Sequence, residues 1–210
     1  MGTFNDERDM LRDHPREIDM TDNTATSPSD VLRAEHQVIL RVIEVLRGLV
    51  ERSRRDGAFQ RDALAPCVEF FRFFADACHH AKEEDLFFPV LEARGIPREN
   101  GPIGMMLYEH QIARALTKEM GQALDALDAD GEPAKLRFQQ AAARYIELLT
   151  NHIFKEDNVL FNMGDEVMDG ADRTTLCTRF CEANCKSFGG KKREQLERMA
   201  DELVAKWGGG

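Results

Sequence analysis

His79-His80-Ala81-Lys82-Glu83-Glu84-Asp85-Leu86-Phe87-Phe88-Pro89 and His152-Ile153-Phe154-Lys155-Glu156-Asp157-Asn158-Val159-Leu160-Phe161 are two versions of one segment. Histidine, lysine, glutamate and a closing phenylalanine fall in the same register in both. Each follows a Glu-His-Gln triplet. His36 of Glu35-His36-Gln37 lies 43 residues ahead of His79, and His110 of Glu109-His110-Gln111 lies 42 ahead of His152. In both segments a histidine and a glutamate stand four residues apart, so on a helix they share one face. Two such pairs, each with its own upstream triplet, describe four helices that face one another across a shared layer.

The sequence around these segments is helical in period. Val31, Leu32, Val38, Ile39, Val42, Val45, Leu46 and Leu49 mark one face of a first helix, with Ser29 and Asp30 as N-caps and an end near Gly57. A second starts about Ala63, with Pro66 in its first turn, and stops before Gly95; Pro89 is expected to kink or shorten its last turns. A third runs from Pro102 to about Leu127, and a fourth from Pro133 to about Met163. A fifth follows Gly170, split or bent near Gly189-Gly190, and ends at Trp207. No stretch alternates with a period of two. The expected fold is all-α: an up-down-up-down four-helix bundle over residues 30–165, a further C-terminal helix over 166–210 packed on it, and a flexible, disordered N-terminal tail over 1–29.

The bulk properties narrow the function. Of 210 residues, 42% are hydrophobic, enough for a core. A formal charge of −10 argues against nucleic acid and anionic membrane as partners. No apolar run approaches the roughly 20 residues of a membrane span, and the N-terminus carries no signal-type stretch, so a cytoplasmic location is expected. Five cysteines do not suggest a disulfide framework. Cys67 and Cys78 read as core. Cys177, Cys181 and Cys185 share one helix face and read as small apolar residues packing that helix, with a reactive thiol stripe as the alternative. The phenylalanines Phe70 to Phe74, Phe87, Phe88, Phe154 and Phe161 read mainly as core packing, with a dry wall around the histidines as the alternative. Met105, Met106 and Leu107 read as core.

Imidazole suits iron, copper and zinc, and a carboxylate can bridge two hard cations. The candidate metal ligands are His36, His79, Glu83, His110, His152 and Glu156. His80 and Glu84 have the same spacing as His79 and Glu83, but the repeat aligns His79 with His152 and His80 with Ile153. On an α-helix His80 sits about 100° around from His79, which places it beside the ligand set.

Leu32-Arg33-x-Glu35-His36, His79 to Pro89, Tyr108 to Arg114 and Asn151 to Asp157 together resemble the hemerythrin-like (HHE cation-binding) family over about residues 30–165. The resemblance implies a four-helix bundle around two non-haem iron ions joined by an oxo or hydroxo bridge. His36, His79, His110 and His152 are then terminal ligands, and Glu83 and Glu156 bridge. Oxygen-carrying members have a fifth histidine, four residues from another on the third helix. Here those positions are Met106 and Arg114. Their second bridging carboxylate corresponds to Asp157, whereas the internal repeat favours Glu156. Four histidines, two bridging carboxylates and a bridging oxygen leave two positions open on a pair of six-coordinate ions. Glu35, Glu109, Tyr108 and His80 are the nearest candidates for an added ligand. The expected partner is O2, NO or peroxide. The resemblance leaves three activities in view: binding or sensing a small ligand, redox catalysis on NO or peroxide, and iron donation to damaged metal clusters.

Overall fold

The computed structural model describes residues 27–209. Most of the expected tail, residues 1–26, lies outside the described residues. Helix α1 spans Pro28–Asp56, entered from Ser27 with Pro28 in its first turn and closed by Gly57 at φ 69°. Ser29, expected as a cap, is instead buried inside the helix.

Helix α2 begins at Arg61 and ends at Ala93, and its hydrogen bonding changes along the way. It is α-helical over Arg61–Phe70, π-helical over Phe71–His80 and again over Glu83–Phe87, then α-helical over Phe88–Ala93. Because α2 starts two residues earlier than expected, Pro66 sits inside the helix rather than in its first turn. Helix α3 spans Pro102–Asp125, and a single turn at Leu127–Asp130 leads through Gly131 to α4. Helix α4 is α-helical over Glu132–Lys155, π-helical over Glu156–Leu160, and α-helical over Phe161–Val167. Beyond the Phe71–His80 stretch that only α2 has, both helices carry a widened turn that starts at equivalent residues of the repeat, Glu83 and Glu156. Pro89 has no counterpart in α4, so proline is not their common cause; single widened turns of this kind often mark functional sites.

The C-terminal part is two helices, not one. Helix α5 (Gly170–Asn184) is capped by the Asp169 carboxylate, which accepts from the Ala171 and Asp172 amides. A hairpin of β1 (Ser187–Phe188) and β2 (Lys191–Lys192) turns at Gly189 and Gly190, both at positive φ, and α6 (Arg193–Trp207) follows. The left-handed turn suits glycine and separates the two helices completely.

Two apolar clusters fill the interior. One contains Ile39, Phe70, Phe74, Ala113, Phe138, Ile153 and the α6 residues Leu196 and Leu203. The other contains Leu32, Phe87, Phe88, Met106, Leu160, Phe161 and the α5 residues Leu176 and Phe180. Each of α1 to α4 passes from one cluster to the other, and the crossing falls at the polar layer: at His36 between Leu32 and Ile39, at His79 and Glu83 between Cys78 and Leu86, at His110 between Met106 and Ala113, and at Glu156, just after His152, between Ile153 and Leu160. A polar layer is thereby sealed between two apolar ones.

Some packing expectations change. Met105 and Phe154 are exposed, so neither belongs to the core or to a wall around the histidines. Cys67 and Cys78 are buried, and burial pushes their thiols up to about 12 and about 11. Cys181 and Cys185 are exposed, which overturns the packing reading for them; Leu176 and Phe180 are what α5 buries.

Candidate metal centre

Helix α1 brings Glu35 and His36 to the polar layer, α2 brings His79, His80, Lys82, Glu83 and Glu84, α3 brings Glu109 and His110, and α4 brings His152, Lys155, Glu156 and Asp157. The donor atoms form two groups, each with atoms within 4.8 Å of one another: His36, His79, Glu83 and Glu156, and His80, Glu83, His110 and His152. All of these side chains are buried. Glu83 belongs to both groups, with Oε1 3.4 Å from His79 Nε2 and Oε2 3.5 Å from His110 Nε2. Glu156 also spans the layer, with Oε2 3.3 Å from His36 Nε2 and 3.2 Å from His152 Nε2. The Nε2 atoms of His110 and His152 face each other at 3.0 Å.

Apart from His110 Nε2 and His152 Nε2, which meet each other, the inward atoms lack hydrogen-bond partners. His36 Nε2, His79 Nε2, and both carboxylate oxygens of Glu83 and of Glu156 are buried and unpaired. Buried polar atoms are normally satisfied, so a cluster of unpaired donors aimed at a common space fits a metal cation.

The outward atoms are satisfied in a repeated pattern. His79 Nδ1 is 2.9 Å from Glu35 Oε2, and His152 Nδ1 is 2.9 Å from Glu109 Oε2. His36 Nδ1 is 2.7 Å from Asp157, and His110 Nδ1 is 2.6 Å from Glu84. A carboxylate on the outer nitrogen fixes the ring and leaves the inner nitrogen free to ligate. In each triplet the glutamate therefore serves the histidine of another helix, not its own neighbour. Lys82 pairs with Glu35, and Lys155 pairs with Glu109. These contacts locate three of the added-ligand candidates outside the two donor groups: Glu35 and Glu109 sit behind histidines, and Tyr108 is 61% exposed. Asp157 holds His36 from outside, while Glu156 points inward.

His80 is the residue that the helical projection sets aside and the fold brings in. It is buried, its Nδ1 lies 3.5 Å from Asp76, and its ring stacks on His110 at 3.8 Å between centroids. The wider turn of the π-helical stretch separates neighbouring residues by less than the α-helical angle, so His79 and His80 both enter the layer. The sequence did hold a signal: Ile153, the equivalent residue, is apolar and is buried too. That position faces inward in both copies, and only the first carries a nitrogen.

Protonation follows from this packing. Burial pushes His79 and His152 down, but carboxylates outweigh it. Glu83 and Glu35 hold the His79 proton to about pH 10, and Glu156 and Glu109 hold that of His152 to about pH 9. Burial alone would raise Glu35, yet His79 and Lys82 bring it down to about 2. His80, desolvated and beside three other imidazoles, is held neutral well below its ordinary range. Phe161 stacks on His36, and Phe88 on His110, closing the layer with apolar rings.

The sequence model of the hemerythrin HHE cation-binding domain matches residues 27–163. The chain belongs to this family. Within the hemerythrin HHE domain so defined lie all the histidines and carboxylates of the layer; α5, the hairpin and α6 lie beyond it. Similar curated proteins are uncharacterized proteins of Mycobacterium bovis and of two Mycobacterium tuberculosis strains, each 29% identical over 164 residues. The alignment covers 78% of this chain and 63% of each relative, so the chain spans less than two thirds of their length. No solved structure matches the chain.

Proposed function

We propose that the chain is a non-haem di-iron protein that binds or senses a small ligand, O2 first and NO or peroxide next. The ions would be held by His36, His79, His80, His110 and His152 and bridged by Glu83 and Glu156. The observation that carries this reading is the pair of buried donor groups that share Glu83, with inward atoms left unpaired. A shared carboxylate suits two cations, and a mixed imidazole and carboxylate set with bridging oxygens suits a hard, octahedral metal such as iron. The four long helices meet the two apolar clusters in alternate order, which supports an up-down-up-down bundle around the centre. The cytoplasm is the proposed location.

Bound iron would supply electron transfer and an open position for the ligand. The chain's own residues prepare that position. Glu35, Asp157, Glu84 and Glu109 hold the outer nitrogens, so the inner ones point at the ions. Phe161 and Phe88 keep water away. His80 adds a fifth nitrogen and leaves fewer open positions than four histidines would. The group with fewer nitrogens, His36 and His79, is then the side where a ligand enters. Complete burial of the donors favours retention of iron over its delivery to another protein.

The test is anaerobic iron loading with optical spectra before and after O2. About two irons per chain are expected, with a visible band that fades when O2 is removed. His80→Ala should weaken iron binding by about tenfold or more, as His79→Ala should. A chain that takes up no iron sinks the reading; two irons with oxidation but no reversible band turns it toward redox catalysis on NO or peroxide.

A further inference from the structure

The two glutamates behind the metal layer occupy equivalent places in the repeat but not equivalent surroundings. Glu35 is completely buried. It accepts from His79 Nδ1 on one oxygen, and the other oxygen meets Lys82 Nζ and, at 3.4 Å, Arg193 Nη2 of α6. Lys82, also buried, donates to Asn184 Oδ1 at the end of α5 (2.8 Å), and its ammonium stands 5.9 Å from the Phe180 ring centroid. Arg193 is itself held by Glu197 at 2.9 Å. Glu109, in contrast, meets His152 and Lys155, and Lys155 is 38% exposed.

The hairpin between α5 and α6 is seated on the same helix. Gly189 lies so close to the Phe73 ring that a Cβ would stand 2.3 Å from it, and Lys191 pairs with Glu69. Phe73 is in the π-helical stretch that ends in His79 and His80. All three C-terminal elements therefore touch α1 or α2 around His79, and all three lie beyond the matched domain.

We propose that this C-terminal segment is a working part of the metal centre. Arg193 and Asn184 are positioning residues that lock Glu35 and Lys82, and through Glu35 they fix the His79 ring. A buried ammonium and carboxylate persist only when their remaining hydrogen-bonding capacity is filled. Without Arg193 or Asn184, Glu35 and Lys82 are drawn toward water, and the carboxylate no longer holds His79 in its ligating orientation. The inference rests on the two-ion reading above, and it is specific to the His36 and His79 side.

The test uses the full chain loaded with iron(II) alone, and follows release to a chelator. Arg193→Ala and Asn184→Ala should release one of the two ions about tenfold faster, with the second at the wild-type rate. Arg193→Lys should restore slow release, and Lys155→Ala, on the exposed side, should leave the first ion unchanged. A second readout needs no metal. In the metal-free protein the His79 Nδ1 proton should give a protected NMR signal that exchange broadens in Arg193→Ala, while the His152 signal stays sharp. Equal acceleration of both ions, or an unchanged His79 signal, overturns the clamp. A wild type that binds no iron sinks the di-iron reading instead, and the proton signals still decide the clamp.

Discussion

Two halves of the histidine layer repeat the same His-Glu-Lys triad and are finished differently. On one side His79, Glu35 and Lys82 are sealed; Lys82 is 1% exposed, and the adjoining cavity, lined by Cys78, Lys82 and Phe188, is only about 50 Å³. On the other side Glu109 and Lys155, which stand behind the buried His152, line an open cleft of about 380 Å³ together with Leu116 and Arg144. The repeat supplies the same chemical triad twice, and the C-terminal helices cover one copy. The same ion pair is a demanding buried network in one place and an ordinary partly wet contact in the other.

The largest expected effect is that of pH on the metal-free protein. His79 and His152 have folded-state values raised above 6.5, to about 10 and about 9. The stability they contribute is fully present below about pH 6.5 and is lost as pH rises through those values. The slope is about 1.4 kcal/mol per pH unit for each proton. His80, held neutral, acts in the opposite direction below about pH 6.5, and Glu35, depressed to about 2, loses its contribution as pH falls from about 4.5 through that value. Denaturant midpoints of the metal-free chain should therefore fall between pH 7 and 9, and fall further up to pH 10 if the sealed half keeps His79 protonated longer than the open half keeps His152. Iron loading must displace these protons, so the loaded protein should gain stability over the same range. A flat profile for the metal-free chain would break the account of the layer.

The next effect separates the halves directly. Glu35→Ala leaves the Lys82 ammonium buried without its carboxylate and should cost about 3–5 kcal/mol of stability. Glu109→Ala leaves Lys155 to water and should cost about 1 kcal/mol or less beyond the lost His152 contact. Equal losses in urea unfolding of the metal-free variants would mean that the cover over Lys82 is energetically unimportant.

The smallest effect concerns the outer carboxylates that the two halves share by symmetry. Asp157→Asn and Glu84→Gln keep shape but lose charge behind His36 and His110. Each should weaken iron binding by about tenfold in a competition titration, with little change in fold stability. A much larger loss for Glu84→Gln would point to its second partner, Arg114, as part of the same support.

Much of this protein is written in its sequence. Period, caps and glycines located four long helices, with ends displaced by a few residues where Pro66 and Ser29 proved compatible with a helix interior. The internal repeat picked out six inward-facing donors, because a four-residue spacing on a helix is a statement about one face. The Ile153 equivalence set His80 aside, whereas the structure buries it among the histidines. The fold then decided what a face pattern cannot express, namely which neighbour each group meets. Glu35 serves a histidine 44 residues away rather than the one beside it, because adjacent residues on a helix point apart. His80 lies in the layer beside His79 where α2 is π-helical, a placement that a projection at the α-helical angle does not express. Cover on one half and not the other comes from α5, the hairpin and α6, which the repeat does not contain. Helix geometry carried by local sequence sets which donors face the layer; the long-range packing of charged groups sets their partners, because burial is decided by what else lies against the site.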